Sequence, residues 1–219
     1  MNAVDRLPRA VVFDWDNTLV DTWPVIHESM NAALAAMGHP AWSIGETRER
    51  VRRSLREAFP PLFGERWQEA REIFYRRFEA IHLERLAICE GAEALIEALA
   101  RRGIPLCVVS NKMGGNLRRE AGHLGWQRHF SRLVGASDAA RDKPATEPVD
   151  LALSGTGVRR DAGVWFVGDT WVDMECAHNA GCTGILVRGT PPRDTEFAAF
   201  PPQAHFADCA ELLRHVESL

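Results

Sequence analysis

The sequence predicts an α/β fold, a doubly wound parallel sheet carrying a small helical domain. Three observations point there. Ala10-Val11-Val12-Phe13 is a short apolar run that meets acidic residues at once, as a buried parallel strand with polar function at its carboxyl end would. From Gly91 onward, short β-rich runs alternate with segments of helical periodicity, the pattern of a parallel sheet covered by helices. Between them, from about Trp23 to about Leu86, the chain shows helical periodicity and no strand signal.

The elements follow in order. In the helical stretch, Pro24 to Met37, Gly45 to Phe59 and Glu65 to Leu86 read as helices rich in Arg, Glu, Ala and Leu. Gly38-His39-Pro40 and Pro60-Pro61 are expected to break them. Gly91 to Arg102 is a helix stopped by Gly103, and Ile104 to Val109 a strand ending at Ser110-Asn111. Asn116 to Leu124 is helical, Arg132 to Gly135 a strand, and Glu147 to Leu153 a helix. Val164 to Val167 is a strand ending at Gly168-Asp169, Trp171 to Ala180 a helix stopped by Gly181, Thr183 to Val187 a strand, and Ala210 to Val216 a final helix.

Composition narrows the function class. The chain has 219 residues, 46% hydrophobic and 26% charged, as in ordinary globular proteins. A net charge of −4 predicts no basic face and no nucleic-acid partner. No apolar run would cross a bilayer and Met1 to Arg9 has no signal-peptide character, so no membrane partner and a cytoplasmic location are expected. Five cysteines without a C-x-x-C pair argue against disulfides or structural zinc and are expected in the core. The eight scattered histidines carry no metal motif. Trp42, Trp67, Phe74 and Phe78 are expected to form the core of the helical insert. Arg48, Arg52, Arg53 and Arg56, interleaved with Glu46, Glu49 and Glu57, read as a solvated, ion-paired face. His27 is expected to be structural or exposed.

Three strands end in reactive groups: Asp14-Trp15-Asp16-Asn17-Thr18, Ser110-Asn111, and Gly168-Asp169-Thr170 with Asp173 a turn later. Lys143 lies in the connection between the last two. A parallel sheet brings such ends to one edge. Asp14 and Asp16, two apart in extended chain, address the same side while Trp15 faces elsewhere. Together with Asp169 and Asp173 they concentrate negative charge that calls for a cation, and hard oxygen ligands favour Mg²⁺. Lys143 and the Ser110 hydroxyl suit phosphate oxygens. A carboxylate nucleophile, a second carboxyl as acid and base, a metal and a lysine suit phosphoryl transfer.

Phe13-Asp14-Trp15-Asp16-Asn17-Thr18-Leu19 resembles the first motif of the haloacid dehalogenase (HAD) superfamily, D-x-D-x-T-L after an apolar strand. Val109-Ser110-Asn111, Lys143-Pro144 and Gly168-Asp169-Thr170-Trp171-Val172-Asp173 resemble its second, third and fourth motifs, in the family's order. The resemblance implies a Rossmann-like core over 1–19 and 89–219 and a helical cap over 20–88. It implies Asp14 as nucleophile and Asp16 as the acid that protonates the leaving oxygen and then activates water. Mg²⁺ would be held by Asp14, the Asp16 carbonyl and Asp169, with Asp173 assisting. Ser110, Asn111 and Lys143 would hold the phosphoryl group. Ser110-Asn111-Lys112 is similar to the T-N-K of phosphoglycolate phosphatase-like members. Asn17 stands where many members have Gly, and the bulky Trp15 is expected to narrow the space near the leaving group.

Each feature has a plainer reading: an Asx turn at Asp14, a helix cap at Asp169 or Thr170, a solvated Lys143. Independent turn chemistry does not produce this order on successive strand ends. The expected function is therefore a Mg²⁺-dependent phosphatase of a small phosphorylated metabolite, monomeric or homodimeric, passing through an aspartyl-phosphate. A phosphomutase sharing Asp14 and Asp16, or a catalytically silent binding protein of the same fold, are the alternatives. A phosphonate-cleaving member would need a cap lysine, and Val20 to Ile88 contains none. A receiver domain would lack the helical insert.

Overall fold

A computed structural model describes residues 3–51, 55–193 and 195–219, the side chains at 56 and 57 excepted. In chain order the elements begin with β1 (Ala10–Phe13), β2 (Val20–Asp21), α1 (Trp23–Ala36), α2 (Ile44–Arg50), α3 (Leu55–Phe63), α4 (Trp67–Ile81) and β3 (Ala87–Ile88). They continue with α5 (Ala92–Arg101), β4 (Leu106–Met113), α6 (Gly114–His123), β5 (Arg132–Ala136), α7 (Glu147–Leu153) and β6 (Val164–Gly168). The chain closes with α8 (Trp171–Ala180), β7 (Thr183–Val187), β8 (Ala204–Phe206) and α9 (Cys209–Glu217). It divides into two compact units, Met1–Val20 with Ile88–Leu219, and Asp21–Ala87.

In the first unit the described residues form a six-stranded sheet of order β5-β4-β1-β6-β7-β8, every neighbouring pair parallel. β1, β6 and β7 are buried along their whole length because both faces of the sheet are covered there. All four residues of β1 are fully buried. Ala10 and Val12 join Cys107, Val109, Val164 and Phe166 in a core with Val149 and Ala152 of α7 and Cys176, Ala177 and Ala180 of α8. α5 buries Leu95, Ile96 and Leu99 and packs on β4 and α9. Four of the five cysteines are buried and none is disulfide-bonded. Burial pushes the Cys176, Cys182 and Cys209 thiols up to about 12, so they behave as small apolar side chains.

The second unit is helical. α1, with Pro24 in its first turn, packs along α4, and Arg77 and Arg85 both pair with Glu28. Phe59, Phe74 and Phe78 form its core with Met30 and Leu34, and Trp42 and Trp67 pack half-buried against it. The Phe59 and Phe63 rings meet edge-on at 5.0 Å. His27 is structural, its Nδ1 lying 2.9 Å from Thr47 Oγ1. Arg48 lies over Trp23 and Arg50 pairs with Glu46, while Arg52 and Arg53 fall outside the described residues.

Several boundaries differ from expectation. The helix expected over 45–59 is two: α2 starts at the Ser43–Glu46 capping box and stops at Val51, where ψ is 76°. Pro60 and Pro61 do not break a helix but lie inside α3. Each forfeits a backbone hydrogen bond, at roughly 3 kcal/mol in an ordinary helix interior. The burial of Phe59 and Phe63 holds the turn against that cost. β4 runs on to Met113, past the strand end expected at Ser110-Asn111. β8 is an extra strand of only three residues after a Pro-Pro pair, too short for a periodic signal, and it is paired to β7 at Ile185, Leu186 and Val187. Among the described residues no helix is long and apolar enough to cross a membrane.

Candidate active site

β1 lies between β4 and β6, with Phe13 opposite both Val108 and Val167. After β5 the chain crosses from the β4 side of β1 to the β6 side. The sheet's switch in direction therefore lies at β1, where open α/β sheets bind ligands beyond their carboxyl ends. Asp14 continues the ladder by one bond, its N–H donating to Val167 O at 2.8 Å. The chain then turns. Asn17 adopts a left-handed φ of 62°, and Leu19 N–H donates to Trp15 O at 3.0 Å. Asn is the non-glycine residue that tolerates this region best, so it serves where glycine would be usual.

Alternation along the extended chain sends Trp15 to the other side of the sheet. It is fully buried, edge-on to Trp126 at 5.9 Å and to Phe130 at 6.4 Å. The expectation that it narrows the leaving-group space is corrected: Trp15 is core.

On the site side, Asp14, Asp169 and Asp173 are all buried and their carboxylates bring one oxygen each within 4.8 Å of one another. Lys143 reaches into this trio, Nζ donating to Asp14 Oδ1 at 2.6 Å and to Asp173 Oδ1 at 2.7 Å. Asp173 sits at the third position of α8, and its other oxygen accepts from the Thr170 N–H at 2.9 Å and the Thr170 hydroxyl at 2.7 Å. The cap expected as the plainer reading of this motif is therefore present, and the same carboxylate also holds Lys143. Gly168 makes the approach: a Cβ there would lie 2.4 Å from both Cβ and Cγ of Asp173.

The trio is electrostatically unfinished. Burial pushes the Asp14 carboxyl up to about 7 despite Lys143, with Asp173 and Asp16 adding to the rise. Asp169 is raised well above the usual range by burial and then by Asp173 and Asp14. For Lys143, burial opposes the charge, but Asp14 and Asp173 together outweigh it and hold its ammonium ionised. Three carboxylates against one ammonium leave a formal −2 if all ionise. That surplus, on hard oxygens alone, fits a divalent cation such as Mg²⁺. A hydrophobic or thiol-rich surround would have indicated otherwise.

The Asp16 carboxylate is held by a different lysine. It is half-buried, and Lys112 Nζ donates to its Oδ1 at 2.5 Å. The same ammonium lies 2.8 Å from Glu120 Oε2, which also accepts from the Trp15 indole N–H at 2.7 Å. Ser110 is buried, its Oγ accepting from Lys112 N at 3.2 Å. The Asn111 amide is spent on the Lys143 main chain, accepting from its N–H at 3.0 Å and donating to its C=O at 3.2 Å. In the sequence, Lys112 stands out only as part of a motif string and Glu120 belongs to no motif. The available signal was periodicity: Glu120 falls on the stripe of Asn116, Leu117 and Ala121 that α6 buries, an unusual place for a carboxylate.

Comparison with known proteins identifies the family. Residues 11–187 match the family model of haloacid dehalogenase-like hydrolases. A phosphoglycolate phosphatase of Xanthomonas campestris is 30% identical over 184 residues, covering 82% of this chain and 83% of its own. Among solved structures, a HAD-superfamily hydrolase from Ehrlichia chaffeensis is 26% identical with a TM-score of 0.67, covering 98% of both chains. A haloacid dehalogenase-like family hydrolase from Streptococcus pneumoniae shares the fold at a TM-score of 0.84 and 21% identity, over 95% of this chain and 98% of its own. With the motif residues gathered at the switch of a parallel sheet and a match running across most of its length, the chain belongs to the haloacid dehalogenase-like hydrolases.

Proposed function

We propose that the protein is a Mg²⁺-dependent phosphomonoesterase that acts on a small phosphorylated metabolite through an aspartyl-phosphate on Asp14. The observation that carries this is the buried trio of Asp14, Asp169 and Asp173 with Lys143 bridging two of its members. Phosphoglycolate is the first substrate to test, because the relatives at about this level of identity carry its name.

In this reading Asp14, the Asp16 carbonyl and Asp169 would hold the ion, and Asp173 would support it while holding Lys143. The ion, when bound, supplies positive charge that keeps these carboxylates ionised and offsets the charge of the phosphoryl group. Asp14 presents a carboxylate oxygen to phosphorus. Lys143 and the Ser110 hydroxyl donate to the phosphoryl oxygens. Asn111 contributes by fixing the Lys143 main chain and by offering its own backbone N–H. Asp16 gives a proton to the departing oxygen as the ester bond breaks. It then takes a proton from water as water attacks the phosphorus of the Asp14 acyl phosphate, breaking the O–P bond, so that Asp14 returns as a carboxylate and Asp16 as the acid. Substrate choice is assigned to the helical stretch 20–88, the cap in this reading.

The test is phosphate release from phosphoglycolate and from p-nitrophenyl phosphate, with Mg²⁺ and with EDTA. Turnover that EDTA stops, and that Asp14→Asn lowers by at least about 10³-fold in a folded protein, is expected. Isomerisation of a sugar phosphate in place of phosphate release would point to transfer. No turnover across a broad ester panel would point to a silent binding protein.

A further inference from the structure

The trio and its lysine account for Asp14, but not for a second buried lysine that faces the other reacting carboxylate. Lys112 lies two residues after Ser110 on β4, within the irregular stretch of the ladder between Val109 and Met113, and its side chain is 4% exposed. Its ammonium is fixed between Asp16 and Glu120. Glu120 is fully buried on α6, and its Oε2 also takes the Trp15 indole N–H. Trp15 in turn is wedged edge-on against Trp126 and Phe130. A rigid line thus runs from the aromatic core to one oxygen of Asp16. Sinking a lysine and a glutamate this far costs several kcal/mol per ion before pairing, and an apolar pair of similar volume would fill the space as well. The line ends, however, on a half-buried carboxylate next to the left-handed turn at Asn17.

We propose that Lys112 is a positioning residue for Asp16, anchored by Glu120 and Trp15. It holds Oδ1 so that the carboxyl keeps one orientation and Oδ2 is left to exchange the proton with the leaving oxygen and with water. This rests on the phosphatase reading above, with Asp16 as acid and base. Each of the two reacting carboxylates then has its own lysine: Lys143 for Asp14, Lys112 for Asp16.

The consequence is dependence on the leaving group. An alkyl ester needs a proton delivered as its bond breaks, whereas a dinitrophenyl ester leaves unaided. Hydrolysis of the aspartyl-phosphate needs the Asp16 base in both cases. In Lys112→Met, kcat for phosphoglycolate is expected to fall about 10²-fold with KM changed less than about threefold. The burst of dinitrophenolate should keep its rate within about fivefold while phosphorylated protein accumulates, read by intact mass after acid quench. Glu120→Gln, which keeps the indole hydrogen bond, should fall between. Lys112→Met with Glu120→Gln removes the uncompensated buried charge and repeats the test in a fold with a neutral interior, checked by thermal melting.

Equal losses for alkyl and aryl esters, burst included, would make Lys112 merely structural and overturn the inference. Unaltered turnover of phosphoglycolate in a folded variant would overturn it too. Both outcomes leave the phosphatase reading standing. A wild-type protein inactive on every ester, or full activity in Asp14→Asn, would remove that reading and this inference with it.

Discussion

Gly168→Ala tests whether the close approach of β6 to α8 builds the site. The added Cβ would lie 2.4 Å from Asp173 Cβ and Cγ and 2.6 Å from Oδ2. Carbon atoms settle at about 3.5–4.0 Å, so Asp173 must retreat by about 1 Å. Asp173 is a residue of α8 held at both oxygens, and neither hold survives such a shift intact. Overpacking costs about 1–3 kcal/mol and loss of a helix cap about 1 kcal/mol more. For a protein of this size, that lowers Tm by roughly 4–16 °C. The same shift draws Lys143 away from Asp14, and a misplacement of about 1 Å costs on the order of 10²-fold in rate. Differential scanning fluorimetry and p-nitrophenyl phosphate turnover read the two effects separately. A variant melting within about 1 °C of wild type and turning over within about twofold would refute the argument.

Two further outcomes follow from the site's electrostatics and its scaffold. The folded Asp14 value of about 7 lies above its ordinary 3.8, so the metal-free fold favours the protonated carboxyl and its contribution to stability is lost as pH rises through about 7. Glu28 and Asp161, held below their usual range by hydrogen bonds from Arg77 and Arg9, act only in more acid solution. In EDTA, Tm should therefore fall between about pH 5 and about pH 8, and Mg²⁺ should raise it more at the upper end, where the ion need not displace protons. A metal-free Tm that climbs over this range, or an undiminished Mg²⁺ shift in Asp169→Asn, would contradict it. Asn111→Ala removes both bonds to the Lys143 main chain, 3.0 and 3.2 Å. It is expected to cost about 1–3 kcal/mol in stability and about tenfold in kcat/KM, with unchanged kinetics counting against the positioning of Lys143.

The sequence by itself determined five of the sheet's six strands and the polar residues at their ends. Apolar runs such as Ala10–Phe13 and Val164–Gly168 are buried on both faces, so composition alone marks them, and glycines such as Gly103 and Gly181 mark where helices must end. The order of polar residues at those strand ends carried the family. What the sequence left undecided depends on distance through space. Pro60 and Pro61 read as breakers because local rules price a lost hydrogen bond and cannot price the burial of Phe59 and Phe63 that offsets it. β8 has three residues and exists by pairing with β7. Trp15 could be placed at the leaving group or in the core until its side of the strand was fixed by Trp126 and Phe130. Asp173 is at once a helix cap and the partner of a lysine 30 residues away in the chain. Lys112 and Glu120 have meaning only as a pair, because a buried charge is tolerated where its counter-charge lies, and folding alone puts it there.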